Sequence, residues 1–346
     1  MKALVTGGGG FLGRAITEML LGRGDQVRIF SRQRYPGVER LGAEGVQGDL
    51  RDPDALLSAC MGRDAVFHTA ALPGIWGDRS VYHAINVTGT ENLIVACKRR
   101  GVGKLVYTSS PSVVFNMQDE CGVDESMPYP TRWYNPYSPS KALAEQIVLK
   151  ASGTDGLLAC SIRPHLIWGP GDNHLLPRLI PRARRGELRI IGKGANKVAL
   201  TFVENAARAH LLACDAMTAK RVAGQAYFIT DEETVVLWDW INTMLEGLGI
   251  PKVTKHVPEP IAYAAGFCLE CYYTWRKKFE EPMVTRFLVR SLTRATWFDL
   301  SKAKRDFGYR AVVSNDEGVR RTVEYFRDWT PERSPQRRGD AEKDKA

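Results

Sequence analysis

The chain has 346 residues, 44% hydrophobic and 25% charged. That is the composition of one large globular domain or two closely joined ones, and it excludes fibrous, collagen-like and wholly disordered chains. Lys and Arg number 48 against 39 Asp and Glu, a net charge of +9, which favours anionic ligands but falls far short of a nucleic-acid-packaging protein, so no nucleic-acid partner is expected.

An apolar strand starts at about the second residue and leaves no room for a signal peptide. The seven cysteines are odd in number and scattered, as free thiols of a reducing compartment are. A cytoplasmic protein is therefore expected. Short apolar runs at 3–6, 26–30, 45–47, 65–68, 105–108 and 159–163 alternate with helix-length amphipathic stretches. The first such stretch carries Phe11, Leu12, Ala15, Ile16, Met19 and Leu20 at helical spacing and stops near Gly22 and Gly24. This pattern predicts an α/β fold, a Rossmann-type doubly wound parallel sheet. Residues 1–170 are assigned to a dinucleotide-binding domain with parts of 198–232 interleaved. Residues 171–330 form mainly a smaller C-terminal substrate lobe, with strands at 188–191, 198–202 and 226–229 and helices near 204–217 and 238–248. Residues 331–346 read as a disordered tail. The apolar stretch 260–273 is interrupted by Glu270 and is shorter than the roughly 20 residues a span requires, so no transmembrane span is expected.

Thr6-Gly7-Gly8-Gly9-Gly10-Phe11-Leu12-Gly13 places glycines at 7, 10 and 13 between the first strand and the first helix. Gly7 permits a tight turn, Gly10 lets the backbone approach a pyrophosphate, and Gly13 lets the helix pack on the sheet. The helix start at Phe11 and Leu12 then offers N–H groups to phosphates. The second strand ends in Ser31-Arg32, where an NAD-binding protein commonly carries an acid for the ribose 2′-hydroxyl. With that acid missing, Ser31 and Arg32 are read as partners of a 2′-phosphate, so NADP is the expected cofactor and NAD the alternative. Asp49 and Leu50 follow the third strand as an adenine-edge contact. Thr69, Ala70 and Ala71 follow the fourth, where small side chains let the backbone run along the cofactor.

Tyr137 and Lys141 lie four residues apart, on one helical face. A phenol with a pKa of about 10 is a poor base, but a nearby ammonium and the positive ring of an oxidised nicotinamide favour the phenolate. Ser110 follows the strand at 105–108, at the sheet edge where such folds bind ligands. Its hydroxyl can hold a substrate oxygen beside Tyr137.

The glycine motif, Asp49, His68-Thr69-Ala70-Ala71, Asn86-Val87-Thr88-Gly89-Thr90, Thr108-Ser109-Ser110 and the Tyr137/Lys141 pair together resemble the extended short-chain dehydrogenases/reductases, over roughly residues 1–330. The resemblance implies that Ser110, Tyr137 and Lys141 are catalytic, that Lys141 also holds the nicotinamide ribose, and that Asn86 helps a proton-relay water. The segments 162–172 and 200–206 resemble the 3β-hydroxysteroid dehydrogenase branch, especially sterol-4-carboxylate 3-dehydrogenases and bacterial 2-alkyl-3-oxoalkanoate reductases. The expected activity is an NADP-dependent ketone/alcohol interconversion on a large apolar substrate, a β-oxo or β-hydroxy acid or a sterol. A nucleotide-sugar epimerase of the same fold and a non-catalytic NADP-binding regulator are the alternatives.

Pro164 and His165 at a sheet edge are read as cofactor contacts, His165 also as a substrate contact, and Arg178 as a cation for an anionic substrate group. Tyr263, Phe267, Tyr272, Tyr273 and Trp275, followed by Arg276-Lys277-Lys278, read as an apolar lid over the substrate, with peripheral membrane contact as the alternative. Cys268 and Cys271 have no second ligand pair at zinc spacing, so no metal is expected. A homo-oligomer is left open.

Overall fold

The computed structural model describes residues 1–329; the expected tail at 331–346 lies outside the described residues. The strand β1 (Lys2–Thr6) is buried from Ala3 onward, so side chains on both faces must be covered, as in a parallel sheet between two helical layers. The strands β2 (Gln26–Ser31), β3 (Glu44–Gln47), β4 (Ala65–His68), β5 (Lys104–Thr108), β6 (Leu158–Pro164) and β7 (Ala226–Ile229) complete a seven-stranded sheet. Its order is β7-β6-β5-β4-β1-β2-β3, and every pairing is parallel. The order reverses at β1 and β4, which opens a crevice at their C-terminal ends. This is the expected Rossmann-type doubly wound fold.

Helices α1 (Phe11–Gly22), α2 (Gly89–Arg100), α3 (Tyr137–Ala151) and α4 (Val203–Ala216) cover the sheet. One apolar cluster joins Ala3, Val5, Ile16, Leu20, Ile162 and Ala209 on the face of α1 and α4. The opposite face joins Leu4, Leu93, Leu105, Ala144 and Val148 with α2 and α3. The alternation of Ala3 and Val5 against Leu4 is the period-2 pleat of β1 read in burial.

A third cluster around Trp168, Ile180, Phe202, Trp240 and Leu245 lies in the C-terminal half, which continues with α5 (Glu259–Trp275) and α6 (Arg286–Thr293). Two expected strands are shorter there. The run 188–191 pairs only at Ile190–Ile191. The run 198–202 splits into Lys197–Ala199 and Thr201–Phe202. Thr201 Oγ1, with its single hydroxyl proton, is within reach of both His165 O, at 2.6 Å, and Ile229 O, at 3.0 Å, which ties the second piece to the main sheet's end. Val198 pairs instead with Thr296, in a four-stranded sheet that includes Glu120–Val123.

Candidate active site

The glycine loop is shaped by contacts that no side chain would fit. Gly7 lies at φ +70°, and a Cβ there would stand 3.0 Å from Ala70 N. A Cβ on Gly13 would stand 2.2 Å from Gly7 O and 2.8 Å from Thr69 Oγ1. Gly10 caps α1 with extended backbone and no side-chain bond. The first N–H groups of α1, at Phe11 and Leu12, thus point out with the positive end of the helix dipole, and the cradle fits a pyrophosphate. Thr69 Oγ1 donates to Thr6 O at 2.7 Å, and Ala70 and Ala71 run on beside it.

The adenine side is less open. Asp49 accepts two bonds from the Arg51 guanidinium, at 2.9 and 2.8 Å, and a third from Arg51 N at 2.9 Å, which hold its carboxyl down at about 2. Leu50 is buried against Gly89. Ser31 Oγ donates to Gln33 O at 2.7 Å, while Arg32 is exposed. Tyr35 adds a contact: its ring packs so closely on Gly9 that a Cβ there would meet it at 2.1 Å. A tyrosine in a basic loop gives no sequence signal for that contact.

Ser110, Tyr137 and Lys141 come together at the C-terminal edge of β5. The cap of α3 sets Tyr137: Asn135 Oδ1 accepts from Ser138 N at 2.7 Å and Asn135 Nδ2 donates to Ser138 Oγ at 3.0 Å. Tyr137 is partly exposed as a residue, yet burial of its phenol pushes it up to about 12, against the pull of the Ser110 hydroxyl. Lys141 is 3% exposed; its Nζ donates to Thr108 O at 2.6 Å and lies 4.0 Å from the Tyr107 ring centroid. Burial brings this amine down to about 7, against the field of Glu145. The expected lowering of Tyr137 by Lys141 is therefore absent from the protein's own groups, because Lys141 is turned to Thr108 and burial dominates.

Asn86 lies in a π-helical turn, His83–Thr88, a local widening common at functional sites. Its Oδ1 accepts from Leu72 N at 2.7 Å, and its Nδ2 donates to Leu72 O at 3.1 Å and Ser140 Oγ at 3.0 Å. The side chain thus ties the loop after β4 to α3, and both its ends are used by protein. His165 is engaged by the C-terminal half of the chain: Nδ1 bonds to Ala199 O at 2.5 Å and the ring packs edge-on against Phe298. Pro164 is buried at the end of β6 and pairs with Ile229. Arg178 is not a lone cation, since it pairs with Glu281 at 3.1 Å.

Next to Lys141 on α3 lies a buried ion pair that the sequence motifs do not mark. Arg163 on β6 donates to Glu145 on α3 at 2.6 and 3.0 Å, and Ser161 and Tyr129 add bonds of 2.6 and 2.8 Å. Burial favours the neutral acid, but Arg163 and Ser161 hold Glu145 below the usual range. An acid one turn beyond Lys141 and an Arg inside an apolar strand were signals of it. Of the aromatic stretch, Tyr273 packs edge-on against Trp76, whose Nε1 donates to Lys278 O at 3.0 Å, so α5 adjoins the loop after β4. Phe267, Tyr272 and Trp275 face outward. No helix among the described residues is long and apolar enough to cross a membrane.

Residues 4–258 match the 3-beta hydroxysteroid dehydrogenase/isomerase family. The 2-alkyl-3-oxoalkanoate reductase of Shewanella oneidensis is 45% identical over 329 residues, 92% of this chain and 84% of that protein. Sterol-4-alpha-carboxylate 3-dehydrogenase, decarboxylating, of Mus musculus is 35% identical over 330 residues, 94% and 91% of the two chains. The solved dTDP-glucose 4,6-dehydratase of Streptomyces venezuelae, with NAD bound, is similar with a TM-score of 0.74 at 25% identity, covering 95% of this chain and 97% of that one.

Proposed function

The chain belongs to the 3-beta hydroxysteroid dehydrogenase/isomerase family of nicotinamide-dependent oxidoreductases, and on that premise we propose that it reduces the ketone at C3 of a β-oxo acid with a bulky apolar body, using NADPH. The observation that carries the reading is the meeting of Ser110, Tyr137 and Lys141 beside the glycine cradle. Hydride at the substrate carbon is what a bound dinucleotide supplies. Ser110 holds the substrate oxygen, and Tyr137 gives it a proton. Burial keeps the phenol protonated at neutral pH, which suits the donating, reductive direction. Lys141, fixed on Thr108, takes the ribose hydroxyls and refills the phenol's proton when charged.

The absence of an acid at the end of β2, with Ser31 and an exposed Arg32 in its place, supports NADPH. The names of the similar reductase and sterol dehydrogenase support an acid substrate. A nucleotide sugar is disfavoured because Ser110 is followed by Pro111-Ser112 rather than by the Asp-Glu of sugar dehydratases. The assay pairs a long-chain 2-alkyl-3-oxo acid and a UDP-sugar at matched concentration with NADPH or NAD. Tyr137→Phe should lose at least about 100-fold in kcat on the oxo acid with dinucleotide binding nearly unchanged. Turnover of the sugar and not the oxo acid would overturn the substrate, and near-normal turnover by Tyr137→Phe would overturn the mechanism.

A further inference from the structure

Helix α5 has its polarity turned inside out. Its packed side carries Ala262, Gly266 and Glu270, all buried. Gly266 lets the backbone of α6 approach so closely that a Cβ would stand 2.9 Å from Arg286 N. Glu270 takes bonds from Arg286 N at 2.7 Å and Arg286 Nε at 2.6 Å, and Glu259 at the start of α5 pairs with Arg290 and Arg294. The water side carries Ile261, Phe267, Tyr272 and Trp275, exposed by 61, 48, 45 and 75%. Between Glu259 and Arg276 the one charged side chain is the buried Glu270. A helix on the surface of a water-soluble protein shows the opposite arrangement. Small residues and ion pairs inside with aromatics outside is the arrangement of helices that meet lipid.

The charges around this face select the lipid. Arg276, Lys277 and Lys278 follow the helix, and Phe279 and Met283, 60 and 69% exposed, extend the apolar surface. At the other end, pairing of Ile190–Ile191 with His256–Val257 brings exposed Lys193 and Lys255 beside the start of α5. The acids of the rim are matched: Glu259 by its two arginines and Glu281 by Arg178, leaving Glu280 as the one acid there without an ion pair among the described residues. With 17 residues, α5 is about 25 Å long and has charge at both ends, so it fits along a membrane surface rather than across it.

We propose that the outer face of α5, with Phe279 and Met283, docks on an anionic lipid bilayer surface, aromatic side chains in the acyl boundary and lysines against the headgroups. Docking is independent of the reaction assigned above. It places the aromatic pair Trp76–Tyr273, and with it the loop that bounds the catalytic groups, next to the lipid.

The test is flotation of the full chain with phosphatidylcholine vesicles, alone or with about 30 mol% phosphatidylglycerol. Binding should require the anionic lipid and weaken as salt rises. Trp275→Ser with Ile261→Ser should bind at least about tenfold more weakly, with an unchanged melting temperature because neither side chain supports the interior. Lys277→Glu with Lys255→Glu provides a second pair and should weaken binding to anionic vesicles alone. Failure of the wild type to float with anionic vesicles, or unchanged binding by the serine pair, would overturn the proposal. So would a concentration-dependent dimer that the serine pair dissociates, since a second copy would then be the occupant.

Discussion

One helix offers the same substitution with opposite expected signs. Gly13 and Gly22 both belong to α1, but a Cβ at Gly13 would stand 2.2 Å from Gly7 O and 2.8 Å from Thr69 Oγ1, whereas nothing lies within 4 Å of one at Gly22. Contact distances of roughly 3.5 Å mean that Gly13→Ala must push the Gly7 carbonyl back by more than about 1 Å. Gly7 is held by its N–H bond to Phe30 O at 2.7 Å and by Ala70 at its side, so the shift is resisted by backbone on both sides. Overpacking of this kind costs about 1–3 kcal/mol, and displacement of the phosphate cradle should weaken dinucleotide binding at least tenfold, about 1.4 kcal/mol. Gly22→Ala should instead stabilise the protein by roughly 0.5–1 kcal/mol, because alanine loses less backbone freedom in a helix, and leave binding alone. Urea denaturation and fluorescence titration with NADPH read both quantities. The reasoning fails if Gly13→Ala binds as the wild type does, or if Gly22→Ala destabilises as much as Gly13→Ala.

Three further outcomes are expected. Arg32→Glu should reverse a preference for NADPH over NADH in binding titrations, and a wild type that binds NADH as tightly as NADPH would contradict the cofactor reading. Glu145→Gln leaves Arg163, 3% exposed, buried without its countercharge, a loss of about 3–5 kcal/mol in denaturant melts. It also removes the field that holds Lys141 up, so any pH limb of dinucleotide binding set by Lys141 should move to lower pH. Burial lowers His68 to about 3 and His165 and His210 to about 4. Between those values and an unfolded pKa of about 6.5, the folded state binds fewer protons, so this contribution to stability is present above pH 6.5 and lost on acidification. His210→Gln should flatten the dependence of melting temperature on pH in that window, and an unaltered slope would show that His210 titrates normally.

The sheet was legible because its strands are short apolar runs bounded by turns, and the proximity of Ser110, Tyr137 and Lys141 because the last two share a helical face while Ser110 follows the strand that ends at Thr108. What sequence could not supply was competition among partners. Asp49 reads as a ligand group, and sequence does not reveal that Arg51 bonds to both its oxygens. Lys141 reads as the neighbour that activates Tyr137, but its ammonium donates its hydrogen bond to Thr108 O. The run 198–202 reads as one strand because it is apolar apart from Thr201, and it is the contacts of Thr201 with two distant carbonyls that divide it. Helix α5 reads as a lid because aromatic residues suggest a covered surface, but which side they face depends on the ion pairs to α6.

One of the two edge strands of the sheet, β7, comes late in the chain. β6 is buried along nearly its whole length, and β7 covers its outer edge only after the entire stretch from Pro164 to Ala226 has been made. At about 5–20 residues per second, a ribosome leaves that edge bare for seconds, as an apolar strand open to other strands. α4, whose Cys214 O accepts from Lys104 Nζ at 2.8 Å and whose His210 bonds Thr108, arrives in the same late segment to cover α1. The half of the chain that carries the glycine loop therefore cannot close by itself during synthesis, and a nascent chain paused between these points is where a holding chaperone would have the most to protect.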